Sequence, residues 1–299
     1  MTSLPGDLEA RALELRAHRE PYVSATVVQA ERPTSAKPGD AAIVLADGTV
    51  EGFVGGECAA ASVQVQALSV LETAEPVLLR ITPSAVAGED RPGTVTVHNP
   101  CLSGGTLEIF LEPTLPPPLL VVYGDAPIAR ALADVAARAG YAVTRGDSLA
   151  PDTVAVVVAS HGRDEVDALT AASQAGVPYI GLVASPRRGA AVVAALDLSD
   201  DERARIHTPA GLDIGARTPG EVAVSILAEI VGLRPRRAPL APSGSSDSGV
   251  AVAVDPVCGM GVAAVESSLS VVVDGHRWWF CGTGCRDAFV ADPAAFTSR

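Results

Sequence analysis

The 299-residue chain carries a formal net charge of −13, with 48% hydrophobic residues and only 4% aromatics. So acidic a surface repels nucleic acid and anionic membranes, which excludes both as partners. The apolar content supports two or three domains with cores of Ala, Val and Leu.

No apolar run approaches the roughly 18 residues of a membrane span, and residues 1–7 have neither the basic nor the apolar region of an export signal. A cytoplasmic protein is therefore expected. Its five cysteines read as thiols or metal ligands rather than disulfides.

A polar helix over residues 8–18 opens the chain. Short apolar runs that read as strands follow at 23–29, 41–46, 50–54, 77–81, 94–97 and 106–111. Asp47-Gly48 joins the second and third as a hairpin. Val63, Ala67, Val70 and Leu71 recur at helical spacing, so one helix begins near Cys58. Pro116-Pro117-Pro118 closes an N-terminal domain of residues 1–115 as a stiff spacer.

From residue 119 the pattern changes. Strands at 119–123, 142–145, 154–159 and 179–183 alternate with helices at 126–139 and 164–175, which predicts a parallel sheet of βαβ units over residues 116–233. Ser199 with Glu202, and Thr218-Pro219 with Glu221, fit capping boxes at two further helix starts. Residues 234–250 form an Arg-Pro-rich and then Ser/Gly-rich linker, and 251–299 a separate small module. The fold class is α/β: a β-rich α+β N-terminal domain, a Rossmann-like parallel-sheet domain and a small C-terminal metal-binding module.

Gly55-Gly56-Glu57-Cys58 places a thiol where a strand turns into a helix. There, unpaired N–H groups and the helix dipole favour anions and lower a thiol's pKa. The loop Asn99-Pro100-Cys101-Leu102-Ser103-Gly104-Gly105 is a second glycine-rich cysteine segment beside a strand, and the two loops are expected to face one cavity. In the βαβ region, Tyr123-Gly124-Asp125-Ala126-Pro127 retains one glycine of the dinucleotide fingerprint, which argues against ordinary NAD binding. Asp147 follows the second strand and suits a ribose hydroxyl. Gly124, His161 and Ser185 lie at strand ends, and Ser185-Pro186-Arg187-Arg188 offers two guanidinium groups to a phosphate.

Thr34-Ser35-Ala36-Lys37-Pro38-Gly39-Asp40, Asp47-Gly48, residues 52–58 and 99–113, Pro178-Tyr179-Ile180-Gly181, and the run from Pro209 to Pro219 resemble the XdhC/CoxI family in the right order. The resemblance covers roughly residues 20–233. It implies an accessory protein for xanthine dehydrogenase or carbon monoxide dehydrogenase type molybdoenzymes. Such a protein binds the molybdenum cofactor, as molybdopterin or its cytosine dinucleotide, while a cysteine desulfurase supplies the terminal sulfur. It then delivers the cofactor to the molybdenum hydroxylase apo-enzyme, and a homodimer is compatible with this role. Cys58 and Cys101 match the family's glycine-linked cysteines, with Gly55, Gly56, Ser103, Gly104 and Gly105 around them. A thiolate is a soft ligand for molybdenum or an acceptor for sulfur. Glu57 departs from the family, which commonly has a third glycine there. A carboxylate at that place is expected to raise the thiol's pKa and oppose a phosphate.

In the C-terminal module Cys258, Cys281 and Cys285 are spaced C-x22-C-x3-C. A helix from Cys285 to Phe289 would put Cys281 and Cys285 on one face, and a hairpin could bring Cys258 over them. Residues 253–296 resemble the YHS/TRASH module, with Phe280 before the second cysteine and Asp292-Pro293 downstream. That resemblance implies zinc or copper(I). His276 reads as a surface residue after Asp274-Gly275 rather than a fourth ligand.

No acid–base pair or nucleophilic triad can be assembled, so a cofactor chaperone is favoured over a turnover enzyme. Two alternatives remain: an NAD(P)-dependent oxidoreductase using the Rossmann-like domain, and a metal-trafficking protein acting through the C-terminal module.

Overall fold

The computed structural model describes residues 4–83, 93–99, 105–146, 149–160, 162, 164–234 and 251–297. The chain divides into two compact units, one formed by residues 1–116 with 237–299 and the other by residues 117–236.

The first unit opens with α1 (Gly6–Ala17), β1 (Tyr22–Glu31), β2 (Ala41–Leu45), β3 (Val50–Gly52) and α2 (Glu57–Thr73), followed by β4 (Val77–Thr82), β5 (Thr94–His98) and β6 (Thr106–Thr114). Among the described residues these strands make one sheet in the order β3-β2-β1-β6-β4-β5, antiparallel except for β4 with β5. Alternation along β1 and β2 sends Val23, Ala25, Val27, Ala42 and Val44 to one face, where they meet Ala59, Val63, Ala67 and Val70 of α2. Tyr22, Ala41 and Ile43 point to the other face, which α1 covers with Leu8, Ala12 and Leu15.

The second unit comprises β7 (Leu119–Tyr123), α3 (Pro127–Arg138), β8 (Ala142–Arg145), β9 (Thr153–Val158), α4 (Glu165–Gln174), β10 (Tyr179–Leu182), α5 (Pro186–Ala194), α6 (Asp200–Ala204), β11 (Ile206–His207) and α7 (Pro219–Leu233). Its parallel sheet runs β8-β7-β9-β10-β11. α3 and α7 cover one face, and α4 and α5 the other. The expected Rossmann-like architecture is present. Both capping boxes form, at Ser199 with Glu202 and at Thr218 with Glu221. Glu229 of α7 ties this helix to the sheet, accepting hydrogen bonds from the Tyr179 hydroxyl at 2.6 Å and the Gly211 N–H at 2.8 Å.

The strand order reverses between β7 and β9, the switch point at which ligands bind in such sheets. Gly124 follows β7 there with φ +94°, and a Cβ at this position would overlap the Ala159 carbonyl beyond β9. The glycine retained from the fingerprint is thus required by the close approach of two chain segments.

The C-terminal segment belongs to the first unit. β12 (Val252–Val254) pairs with β13 (Gly261–Ala263), and β14 (Ser270–Val273) pairs with β15 (His276–Trp279) across Asp274-Gly275; α8 (Thr283–Ala291) and α9 (Ala294–Thr297) follow. Phe280 and Phe289, with ring centroids 5.3 Å apart, fill its core, and Trp278 and Phe296 flank Phe289. The segment is not an independent appendage. Met260 and Val262 cluster with Ala61 of α2, and Gln64 of α2 accepts from the Ser268 hydroxyl at 3.1 Å.

Gly124→Ala combines a strained backbone with overlap at the Ala159 carbonyl, so it should destabilise the second unit by about 2–4 kcal/mol. Hydrogen exchange should show faster opening of β7 and β9 amides with those of β1 and β6 unchanged.

Candidate functional site

α2 begins abruptly after the glycine pair. Gly56 is its N-cap in an extended conformation with no side-chain cap. This helix start borders a small cavity of about 100 Å³ whose wall includes Thr34, Ser35, Gly56, Glu57, Cys58, Asn99 and Gly105. The flanks of the two glycine-rich loops, Gly56 and Cys58 from one and Asn99 and Gly105 from the other, therefore meet at one pocket. Cys101, Ser103 and Gly104 lie outside the described residues.

The half-buried Cys58 thiol also faces the C-terminal module, with its sulfur 3.7 Å from Cys281 Sγ. Cys281 in turn lies 3.6 Å from Cys258 Sγ and 3.7 Å from Cys285 Sγ. The three module cysteines thus converge as their spacing implied, although α8 starts at Thr283 and leaves Cys281 in the segment just before it.

Asp255 organises this convergence. Its fully buried carboxylate accepts from the N–H groups of Val257 at 2.9 Å and Cys258 at 3.4 Å through one oxygen, and from Cys281 at 2.8 Å through the other. One side chain thereby joins the turn bearing Cys258 to the strand end bearing Cys281.

The thiols do not share one acidity. Cys258 is held below the ordinary thiol value because the Cys281 S–H donates to it. Cys281 is pushed up by that donation, by its contact with Cys58 and by burial. Burial first, and then the charges of Asp255 and Cys258, push Cys285 up to about 12. Cys258 is the first of the three to ionise. Asp255, Cys258, Cys281 and Cys285 bring their ligand atoms within 4.8 Å of one another, a soft donor set suited to a thiophilic metal. His276 is exposed and packs edge-on against Trp278, away from that set.

Glu57 corrects an expectation. Its carboxylate is engaged by the module. It caps α8, accepting from Thr283 N at 2.6 Å and from the Thr283 hydroxyl at 3.0 Å. Adjacent residues of a helix diverge by about 100°, which lets the Glu57 carboxylate reach the module although both Glu57 and Cys58 border the pocket. Gly282 permits the approach, since a Cβ there would lie 2.6 Å from the Glu57 carboxylate.

In the second unit, Ser185 caps α5 and accepts from the Arg188 N–H. Ser185 and Arg188 line a cavity of about 820 Å³ bordered by Ile128, Pro209, Asp213 and Val222. The two arginines do not act together. Arg188 pairs with the buried Glu165 carboxylate, which also accepts from Gly162 N at 2.8 Å, while Arg187 lies exposed. The phosphate site expected from both guanidinium groups is therefore reduced to one whose charge is already countered. Gly124 occupies the neighbouring switch-point turn, and Asp147 and His161 lie outside the described residues.

Residues 15–82 match the family described as XdhC and CoxI, and residues 120–230 match its XdhC Rossmann domain, together more than half of the chain. The chain belongs to the XdhC and CoxI family. It is 26% identical over 256 residues to the "Uncharacterized protein YqeB" of Escherichia coli K12, covering 75% of this chain and 45% of that protein. It is also 26% identical over 170 residues to a probable xanthine dehydrogenase subunit of Bacillus subtilis 168, covering 47% of this chain and 50% of that protein. The chain spans about half the length of these curated relatives. Among solved structures, a xanthine dehydrogenase from Bacillus halodurans aligns with 75% of this chain and 95% of its own at 17% identity and a TM-score of 0.36.

Sequence reasoning missed Asp255 and two contacts of the site. Asp255 lies in the run before Cys258, but no local signal marks it as the link to Cys281. The roles of Glu57 as a cap for α8 and of Cys58 as a neighbour of Cys281 depend on contacts more than 220 residues apart in sequence. Glu57→Ala should remove the α8 cap at a cost of about 1 kcal/mol, so amide exchange at residues 283–285 should rise about fivefold. Exchange in α7 should stay unchanged.

Proposed function

We propose that this chain is a maturation factor for a molybdenum hydroxylase and that Cys58 receives the metal–sulfur end of the molybdenum cofactor. The observation that carries this reading is the position of Cys58 in the first turn of α2, behind an N-cap without a side-chain acceptor and on the wall of a pocket shared with Thr34, Ser35 and Asn99, in an XdhC and CoxI family member. The name of the Bacillus subtilis relative supports a xanthine dehydrogenase type partner.

The donor set fits the chemistry. One thiol, the hydroxyls of Thr34 and Ser35, and the N–H groups of a helix start suit a soft metal bearing oxo and sulfur ligands. When bound, the cofactor would supply the molybdenum centre that carries the terminal sulfur. The chain's own part is to hold the metal–sulfur end at the α2 N-terminus, present the Cys58 thiolate and shield both from bulk water. A cysteine desulfurase would be the sulfur source and the apo-hydroxylase the recipient. Within this reading the module carries a thiophilic metal, zinc or copper(I), on Cys258, Cys281 and Cys285, which the sulfur–sulfur distances accommodate.

The test is co-expression with a molybdenum hydroxylase. Cys58→Ala should leave the fold intact by circular dichroism, lower hydroxylase activity at least tenfold and reduce cofactor co-purifying with the chain. Maturation at the wild-type level by Cys58→Ala would remove Cys58 from the mechanism.

A further inference from the structure

We infer that Cys58 is the fourth ligand of a single tetrathiolate zinc site, completed across the seam between α2 and the C-terminal module. The inference rests on the reading of Cys258, Cys281 and Cys285 as metal ligands and adds a ligand from a different part of the chain. Three thiols leave one corner of a tetrahedron open, so the question is what fills it.

Asp255 is the nearest oxygen donor, but both of its oxygens are engaged by the backbone N–H groups of Val257, Cys258 and Cys281. Turning it onto a metal would leave those buried donors unpaired, at a cost comparable to a lost hydrogen bond for each. The Cys58 sulfur already lies 3.7 Å from Cys281 Sγ. Thiolates bound at about 2.3 Å to a tetrahedral zinc are separated by about 3.8 Å. The three sulfur contacts that meet at Cys281, to Cys58, Cys258 and Cys285, measure 3.7, 3.6 and 3.7 Å. All three match edges of that tetrahedron. The set of ligand atoms all within 4.8 Å of one another is Asp255, Cys258, Cys281 and Cys285, so metal binding would draw the Cys58 sulfur inward from its contact with Cys281.

The seam is built to hold this geometry. Glu57, Ala61 and Gln64 occupy one face of α2 at helical spacing, and each meets the module. Glu57 caps α8, Ala61 joins the cluster of Met260, Val262 and Cys281, and Gln64 bonds Ser267 and Ser268. Ser267 in turn donates to the Asp47 carbonyl at 2.8 Å. Cys58 is therefore presented to Cys281 by contacts on both sides of it along the helix.

Zinc binding displaces the protons of whichever of the four thiols are still protonated, and these pass to the buffer. The consequence is functional. A metal so placed withholds Cys58 from the adjoining pocket, and release of the metal returns the thiol to it, so zinc occupancy sets the availability of the residue assigned to the cofactor.

The experiment uses the full chain, stripped of metal and titrated with zinc, and with cobalt(II) as a spectroscopic probe. Wild type should take up one ion per chain with the visible bands of tetrahedral cobalt. In Cys58→Ser the sulfur-to-cobalt charge-transfer intensity should fall by about a quarter as four thiolates become three, and zinc affinity should fall at least tenfold. Independently of any variant, zinc should protect Cys58 of the wild-type chain from alkylation, read by peptide mass spectrometry, and a chelator should restore its labelling. An unchanged cobalt spectrum and affinity in Cys58→Ser, or equal labelling of Cys58 with and without zinc, would overturn the fourth-ligand assignment and leave a site made by the module alone. Absence of metal uptake by the wild-type chain would overturn both.

Discussion

The candidate site depends on the burial of α2 from two sides. Its sequence, ECAAASVQVQALSVLET, offers no wide polar face, and a helix of that kind needs cover all round. The sheet takes Ala59, Val63, Ala67 and Val70, and the C-terminal module takes Ala61 and Gln64. Because the helix is fixed on both faces, its first turn is fixed too. Cys58 thereby borders a small pocket on the sheet side and a cluster of three further thiols on the module side.

Carboxylates near these thiols also organise the chain. Asp255 gathers three backbone N–H groups from two loops, and Glu57 supplies the acceptor that the start of α8 needs. In each case the carboxylate accepts from oriented backbone N–H groups at short range. The second unit follows the same rule with Glu165, which joins Gly162 to Arg188 and keeps that guanidinium from acting as a bare cation.

The Rossmann-like unit keeps the architecture of a ligand-binding sheet while departing from the usual fingerprint. Gly124 survives because the chain after β9 passes against it at the switch point. The cavity at the strand ends is bounded mainly by short side chains and by the loop from Pro209 to Ala216. Its polar complement differs from that of a dinucleotide cradle, consistent with the missing glycines of Tyr123-Gly124-Asp125-Ala126-Pro127.

Much of this was legible in the sequence, because the features concerned are local. Short apolar runs marked the strands. Asp47-Gly48 marked a hairpin, Ser199 and Thr218 marked two helix starts, and the C-x22-C-x3-C spacing pointed to a three-thiol cluster. Each of these depends on periodicity, turn chemistry or short reach along one segment. The tertiary structure alone decided that Cys58 meets Cys281, that Glu57 caps a helix of the module instead of acting on its neighbouring thiol, and that Arg188 pairs with Glu165 while Arg187 stands apart. The physical reason is that a side chain's charge and reactivity follow from the groups around it in space. For Glu57 and Cys58 those groups come from the far end of the chain, where no local pattern records them.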